Sequence, residues 1–501
     1  MSPDIGEIRE PLLVRSISRK AVDGNCEAAG VLESVPSTRD EQVVEQGLRP
    51  GECCTMEADL AALRLELNYM KGLYFLSNLG TACWGRFAQV YYLQKGLGPA
   101  RIGLIEAVTP LVQCVTQPCW GYLADALRNR KLVYLWTKTA NSAVLMLFAV
   151  PSLARGWAAL LAISIALSCF SAPGVVDAHV LALCTRLKSN VYGQVRLYGA
   201  ASWGVGAFAM GVINDFYGFE YNFILYGSLS AAAILLAWWK ITNPAPLAQQ
   251  ASGTDGEKDS EGSSIQHLLT VLLQWRSIAF FTEMLVVGMG VGVVERLLFI
   301  YLMTDLGGSA MLCGTVVLVT VAFEIPIFHH AHTILIHLGH AGCLSIAYLC
   351  YFVRVWGYTL LTPETRHWIL ALEVLHGFTF ALLYSAAVEY ARLLAPPEWS
   401  SLVQSVLNVT YYNLGNGLGA LLGGYIMQNY GARTMYRGFS VMICVLFIFR
   451  ITAITVKACC QRVNGEGSSR CRSIRTSHHT LPQQVRVEQA HVDDDPAFTG
   501  Q

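Results

Sequence analysis

The feature that most restricts this chain is a series of nearly uncharged apolar stretches, each about as long as the roughly 20 residues a helix needs to cross a bilayer. Inside hydrocarbon no water satisfies the backbone, so such stretches are expected to be helices. They run at approximately 69–93, 101–124, 132–151, 157–184, 194–213 and 221–240, and again at approximately 278–303, 309–329, 341–361, 367–391, 400–427 and 435–458. Of the 501 residues 53% are hydrophobic and only 14% charged, whereas an ordinary soluble domain is about a quarter charged. There is too little polar surface here to keep the chain in water.

Between the two sets lies NPAPLAQQASGTDGEKDSEGSS at 243–264, a solvated linker, followed by a short amphipathic piece around His267 to Trp275. The predicted organisation is a disordered tail over 1–68, a six-helix bundle over 69–240, a linker over 241–277, a second six-helix bundle over 278–458 and a disordered tail over 459–501. Within the first tail, Met56 to Leu67 has the pattern of a short surface helix. The fold class is an all-α membrane protein with twelve transmembrane helices in two pseudo-symmetric halves. No apolar stretch precedes Tyr69 and the leading segment is acidic, so the first membrane helix is expected to act as the insertion signal.

Alternation of the helices puts Arg128, Arg130, Lys131, Arg186, Lys188, Arg462, Arg470 and Arg472 on one side. That side is predicted to be cytosolic, with both termini there, in a plasma membrane or endomembrane. The formal net charge is zero, which argues against nucleic acid as a partner. The expected partners are the lipid bilayer and a small solute, with the chain acting as a monomer. Fifteen cysteines show no paired metal spacing, and no GxxxxGK[ST] segment is present, so no metal, cofactor or ATP-driven chemistry is expected.

Ionisable side chains in hydrocarbon cost on the order of 2.5 to 3.5 kcal/mol each, so they persist where they pair or line a wet cavity. Arg86 on helix 1 and Glu106 on helix 2 both fall in the outer half and form a candidate ion pair; Glu295 and Arg296 lie at similar depth on helix 7. Glu373 and His376 share a face of helix 10, Arg354 lies at comparable depth on helix 9, and Glu324 on helix 8 is followed by Pro326, a signal for a helix break. A carboxylate, a guanidinium and an imidazole in one half make either a proton relay or a static salt-bridge network.

In the first half Asp177 near the end of helix 4 and Arg196 near the start of helix 5 can meet across a short loop, with Trp203 two turns beyond Arg196 on the same face. An acid, an Arg and a Trp on one wall suit a polyhydroxylated ligand, because charged groups bond hydroxyls while indole stacks on a sugar ring. The alternative is a simple salt bridge between helices 4 and 5. Gly415, Gly419 and Gly423 on helix 11 are read as a close-packing face. His329, His330, His332, His337 and His340 are read as lying in the loop between helices 8 and 9.

GYLADALRNRK at 121–131 resembles the loop between helices 2 and 3 of the major facilitator superfamily, with Gly121, Leu123, Asp125, Arg130 and Lys131 matching. Ala126 and Arg128 stand where that loop has a basic residue and a glycine. SAPGVVDAHV at 171–180 with YGQVRLYGAASWGVGA at 192–207 resembles the lactose-permease-like branch, which includes the major-facilitator-associated domain proteins. The resemblance implies the major facilitator fold over most of 69–458. It also implies solute contacts by Asp177, Arg196 and Trp203, and a conformational role for Gly121, Asp125 and Arg130. FVRVWG at 352–357, LHGF at 375–378 and FEIP at 323–326 resemble the proton-coupling segments, so Arg354, His376 and Glu324 inherit those roles. The carboxylate expected one turn after the His is Thr379, and the nearest acid, Glu373, lies one turn before it. The implied activity is not enzymatic. It is proton-coupled symport of a sugar or nucleoside, the alternative being a non-transporting receptor or scaffold on the same fold.

Overall fold

A computed structural model of the chain describes residues 50–187, 191–242, 270, 272–394 and 400–475, and among these there is no strand. The chain divides into two units, Met1–Ala61 and Ala62–Gln501. Of the first, the described part, 50–61, is the opening of a helix.

Helix α1 covers Pro50–Trp84 and resumes after a turn at 85–87 as Ala88–Gln94. Helices α2 (Pro99–Ala126), α3 (Arg130–Met146), α4 (Gly156–Cys169 and Pro173–Arg186), α5 (Tyr192–Phe216) and α6 (Glu220–Lys240) follow. After α7 (Trp275–Thr304), the helix Ala310–Tyr358 is divided at Gly339, whose φ of +66° breaks it into α8 (310–338) and α9 (340–358). α10 is assembled from Arg366–Trp368, Ile369–Glu373, a π-helical turn at Gly377–Leu382 and Leu383–Leu394. α11 likewise joins Ser400–Asn408, a π-helical turn at Val409–Gly415 and Asn416–Tyr430, and α12 is Ala432–Arg475. Among the described residues seven stretches are long and apolar enough to cross a membrane, with the merged Ala310–Tyr358 counted once; Gly156–Arg186, Trp275–Thr304 and Ala432–Val456 are among them.

Several boundaries differ from expectation. α1 begins at Pro50, inside the stretch read as a disordered tail, and α12 runs to Arg475, past the expected end; residues 1–49 and 476–501 lie outside the described residues, as does most of the 241–277 linker. Pro326 does not break α8, which continues through it, and the helix carries His329, His330, His332 and His337 instead of a loop. Glycine, with no Cβ, takes the φ of +66° and ψ of 169° that turn the chain without steric cost, so the break falls at Gly339. α4, read as one run, is interrupted at 170–172, where Pro173 opens the second piece.

The halves meet along two crossings where glycine lets backbone touch backbone. On α2 an added Cβ at Gly103 would collide with the Ala420 carbonyl of α11, and at Gly424 it would lie 2.6 Å from the Pro99 carbonyl. On α5 a Cβ at Gly211 would lie 2.5 Å from the Ala310 carbonyl, and Gly314 of α8 meets the Ala207 carbonyl. Asp215 at the end of α5 accepts from the Ala310 and Met311 amides at 2.9 and 2.8 Å, capping α8 across the divide where unpaired amides and the helix dipole favour a carboxylate. Ala100 donates to Gln428 Oε1 at 2.9 Å nearby. These contacts sit at the end carrying the α1–α2 and α7–α8 loops, the far end. Toward the opposite end, where the α2–α3 loop lies, the same helices expose apolar side chains: Val115 and Tyr122 on α2, Leu197 and Tyr198 on α5, Phe323 and Phe328 on α8, Leu402 and Leu414 on α11. The backbone crossings and caps that join the halves are thus concentrated at the far end. Gly415 and Gly419 are consumed by packing against α7, where Gly288 and Met289 approach them.

Candidate functional site

Three polar groups converge on the space between the halves. The first lies in the N-terminal half. Arg196, exposed on the open side of α5, donates from Nη1 to the Tyr192 hydroxyl at 3.2 Å. Tyr192 stands one turn before it on the same helix. Asp177 on α4 accepts from the Tyr74 hydroxyl of α1 and is also bonded to Tyr192. Asp177 and Arg196 are thus linked through Tyr192. Seven residues on, Trp203 lays the edge of its indole against Gly85, at the turn that interrupts α1, where a Cβ would collide with the ring. Asn78 fills the space over Gly199, on the turn between Arg196 and Trp203, at 2.7 Å from where a Cβ would stand.

The second group lies in the C-terminal half. Arg354, 3% exposed, donates from Nη2 to Glu373 Oε2 at 2.6 Å and from Nη1 to Thr379 Oγ1 at 3.0 Å. Glu373, fully buried, also accepts from the Tyr358 hydroxyl, one turn beyond Arg354 on α9. The Thr379 hydroxyl itself donates to the His376 carbonyl at 3.2 Å, so it both accepts and donates. His376 Nε2 stands 3.7 Å from Glu324 Oε2, beyond a direct hydrogen bond, and its Nδ1 is buried without a partner. Arg196 and Arg86 of the N-terminal half lie near enough to Glu324 for their charge to act on it, and Arg196 likewise acts on Tyr384.

The third group bridges the halves at the far end, and here the expected Arg86–Glu106 pair is corrected. Glu106 bonds Arg296 Nη1 at 2.8 Å, and Arg86 faces Glu295 at 3.7 Å. Asn416 of α11 joins the two by donating to Glu295 Oε2 at 3.0 Å and accepting from Arg296 Nε at 3.1 Å. Successive residues point about 100° apart around a helix. Glu295 and Arg296 of α7 therefore address α1 and α2 separately, and each outranks the partner that sequence depth suggested. Gln89 adds a bond to the Glu295 carbonyl at 2.8 Å.

In the α2–α3 loop Arg130 donates to Asp125 Oδ1 at 3.2 Å and to the Ala178 carbonyl at 3.1 Å, tying the loop to α4 beside Asp177. Gly121 has open space where a Cβ would be. Arg128, standing in the glycine position of the resembled motif, takes a left-handed φ of +51°.

The structure brings Arg354, Glu373, His376 and Glu324 together, and gathers Asp177, Arg196 and Trp203 along one wall. Sequence reasoning missed Tyr74, Tyr192, Tyr358 and Asn416. Tyr192 and Tyr358 were within reach, since each lies one turn from an arginine already singled out. Tyr74 and Asn416 carried no local signal. Among the described residues no group of His, Cys, Asp and Glu is arranged to hold a metal, the histidines of α8 included.

Comparison with known proteins gives a consistent picture. The MFS_1 like family model matches residues 67–438. The chain is similar to a maltose permease of Geobacillus stearothermophilus, 27% identical over 358 residues, covering 70% of this chain and 85% of the permease. It is similar to an uncharacterized transporter, YwbF, of Bacillus subtilis (strain 168), 24% identical over 382 residues and 74% and 90% of the two chains. Among solved structures it resembles the nucleoside transporter NupG with a TM-score of 0.66 at 15% identity, covering 77% of this chain and 98% of that one.

Proposed function

The chain belongs to the MFS_1 like family and is a multi-pass membrane transporter, not an enzyme, and we propose that it is a secondary symporter carrying a small polar solute, a sugar or a nucleoside, together with a proton. The observation that carries this reading is the buried Arg354–Glu373 pair with His376 and Glu324 beside it. A fully buried carboxylate is tolerated because the guanidinium compensates it. That leaves His376 and Glu324, facing the space between the halves, to gain and lose a proton. Protonated imidazole draws Glu324 in as an ion pair; neutral imidazole releases it.

Solute is bound between Asp177, Arg196 and Trp203 on one wall and the proton site on the other. With the far end closed by the glycine crossings and the Glu106–Arg296 and Arg86–Glu295 bridges, the site is open to the α2–α3 side. The Lys and Arg distribution supports reading that side as cytosolic. Rocking of the halves breaks the far-end bridges and exposes the same site to the other face. The Asp125–Arg130–Ala178 contacts hold the α2–α3 loop during that movement. The maltose permease and nucleoside transporter likenesses motivate the choice of solute class.

The test is uptake by proteoliposomes under an imposed pH gradient. Accumulation of a sugar or nucleoside should follow the gradient and fall to the leak level in His376→Ala and Arg354→Ala. Accumulation that ignores the gradient, or persists in both variants, would remove the proton from the mechanism.

A further inference from the structure

In the N-terminal half α3 and α6 run antiparallel, and two contacts fix their register. Lys131 Nζ donates to the Trp238 carbonyl at 2.7 Å, and the Tyr226 hydroxyl donates to Asn141 Oδ1 at 2.9 Å. Between these two points Lys138 falls level with Ser230. Ser142, one turn beyond Lys138, falls level with Tyr226, one turn before Ser230. Lys138 therefore stands about 12 Å along α3 from Arg130, deep in the membrane stretch, with Nζ over the Tyr226 ring at 5.5 Å from its centroid.

No carboxylate answers this ammonium. α1 from Tyr69 to Gln94, α3, the first piece of α4 and α6 beyond Glu220 contain none. The two acids of α2 are engaged, Glu106 by Arg296 and Asp125 by Arg130. A tyrosine ring offsets only part of the cost of an ammonium in hydrocarbon. The hydroxyls around it are unsatisfied as well. Ser142 and Ser230 flank the Tyr226 hydroxyl, but its proton goes to Asn141 and neither serine meets it in hydrogen-bonding geometry, so both Oγ atoms are buried without a partner. Ser230 is only 1% exposed. Ser77 and Tyr134, by contrast, pair with each other at 3.1 Å. Gly80 of α1 leaves a methyl-sized space over Ser230, since an added Cβ would lie 3.8 Å from its Oγ and 3.5 Å from Leu229 Cβ, with nothing nearer.

We propose that Lys138, Ser142 and Ser230 bind a chloride ion inside the N-terminal half. An ammonium and two hydroxyl protons make an all-donor set, which suits an anion. A polyatomic anion would bring more acceptor oxygens than these donors can satisfy, and a halide is close to a methyl group in size. The bound ion balances Lys138 and ties α3 to α6. The site uses none of the residues assigned to solute or proton, so it stands or falls independently of them.

The experiment follows thermal unfolding of the purified full-length chain in detergent while sodium chloride replaces sodium gluconate at constant ionic strength. The melting temperature of wild type should rise with chloride and saturate. Lys138→Met, which nearly keeps the length of the side chain and loses its charge, should melt alike in both salts. Ser230→Ala should raise the half-saturating chloride about ten-fold or more, because one hydrogen bond to a charged group is lost. Lys131→Met, which removes a cation two turns away on the same helix, should keep the wild-type response. If Lys138→Met fails to fold, the Ser230→Ala titration decides. A wild type indifferent to chloride, a folded Lys138→Met that keeps the response, a folded Lys131→Met that loses it, or an unchanged half-saturation in Ser230→Ala overturns the site.

Discussion

Removing the negative charge of Glu373 exposes how the C-terminal half tolerates a guanidinium in its interior. Arg354 makes its ion pair with Glu373 at 2.6 Å, and both side chains are buried, at 3% and 0% exposure. Two unit charges near 4 Å attract by about 4 kcal/mol at an effective dielectric of 20. Breaking a buried pair from one side typically costs about 3 to 5 kcal/mol, because the remaining charge keeps its desolvation penalty. Glu373→Gln should therefore lose about that much stability. The amide oxygen still accepts one bond but no longer balances the charge. The structure also supplies the rescue. Thr379 Oγ1 already lies 3.0 Å from the other guanidinium nitrogen, so Thr379→Glu in the Glu373→Gln background places a carboxylate on Arg354 from the opposite side and should restore most of the loss. The assay is thermal unfolding of detergent-solubilised protein, with wild type highest, Glu373→Gln lowest and the double variant between them, nearer wild type. Glu373→Gln melting with wild type, or a double variant no more stable than Glu373→Gln, would refute the claim that Arg354 is held by charge compensation at this point.

Three further outcomes follow from the geometry. Arg296→Ala should cost about 3 to 5 kcal/mol by stranding the buried Glu106, whereas Arg86→Ala should cost less than about 1 kcal/mol, since its 3.7 Å pair is looser and Glu295 keeps Asn416; denaturation of the two variants ranks them. Gly103→Ala should cut transport by at least about ten-fold by holding the far end apart, while Gly438→Ala, at a glycine with open space beside it, should leave transport unchanged; uptake in matched proteoliposomes separates them. At position 128, where φ is +51°, Arg128→Gly should be about 1 kcal/mol more stable than Arg128→Ala, because both lose the same side chain but only glycine is free of the left-handed penalty; paired melting curves measure the difference.

The sequence by itself determined the class of fold, because helix formation in hydrocarbon is dictated by run length and backbone hydrogen bonding, both readable along the chain. It also marked Arg354, Glu373, His376 and Glu324, since a charge inside an apolar run is conspicuous wherever its partner lies. Which charges pair was a different matter. Arg86 and Glu106 stand at matching depths on consecutive helices, yet each is taken by α7, more than 180 residues away, because rotation about the α7 axis and the approach of the two halves set the distances. The same holds for Pro326 and Gly339. Local rules flagged the proline, but neighbouring packing carried the helix through it and turned the chain at the residue able to take a positive φ. Tertiary structure alone decided that Thr379 would face Arg354, for that is a consequence of how helices cross, and no spacing along one helix encodes the crossing.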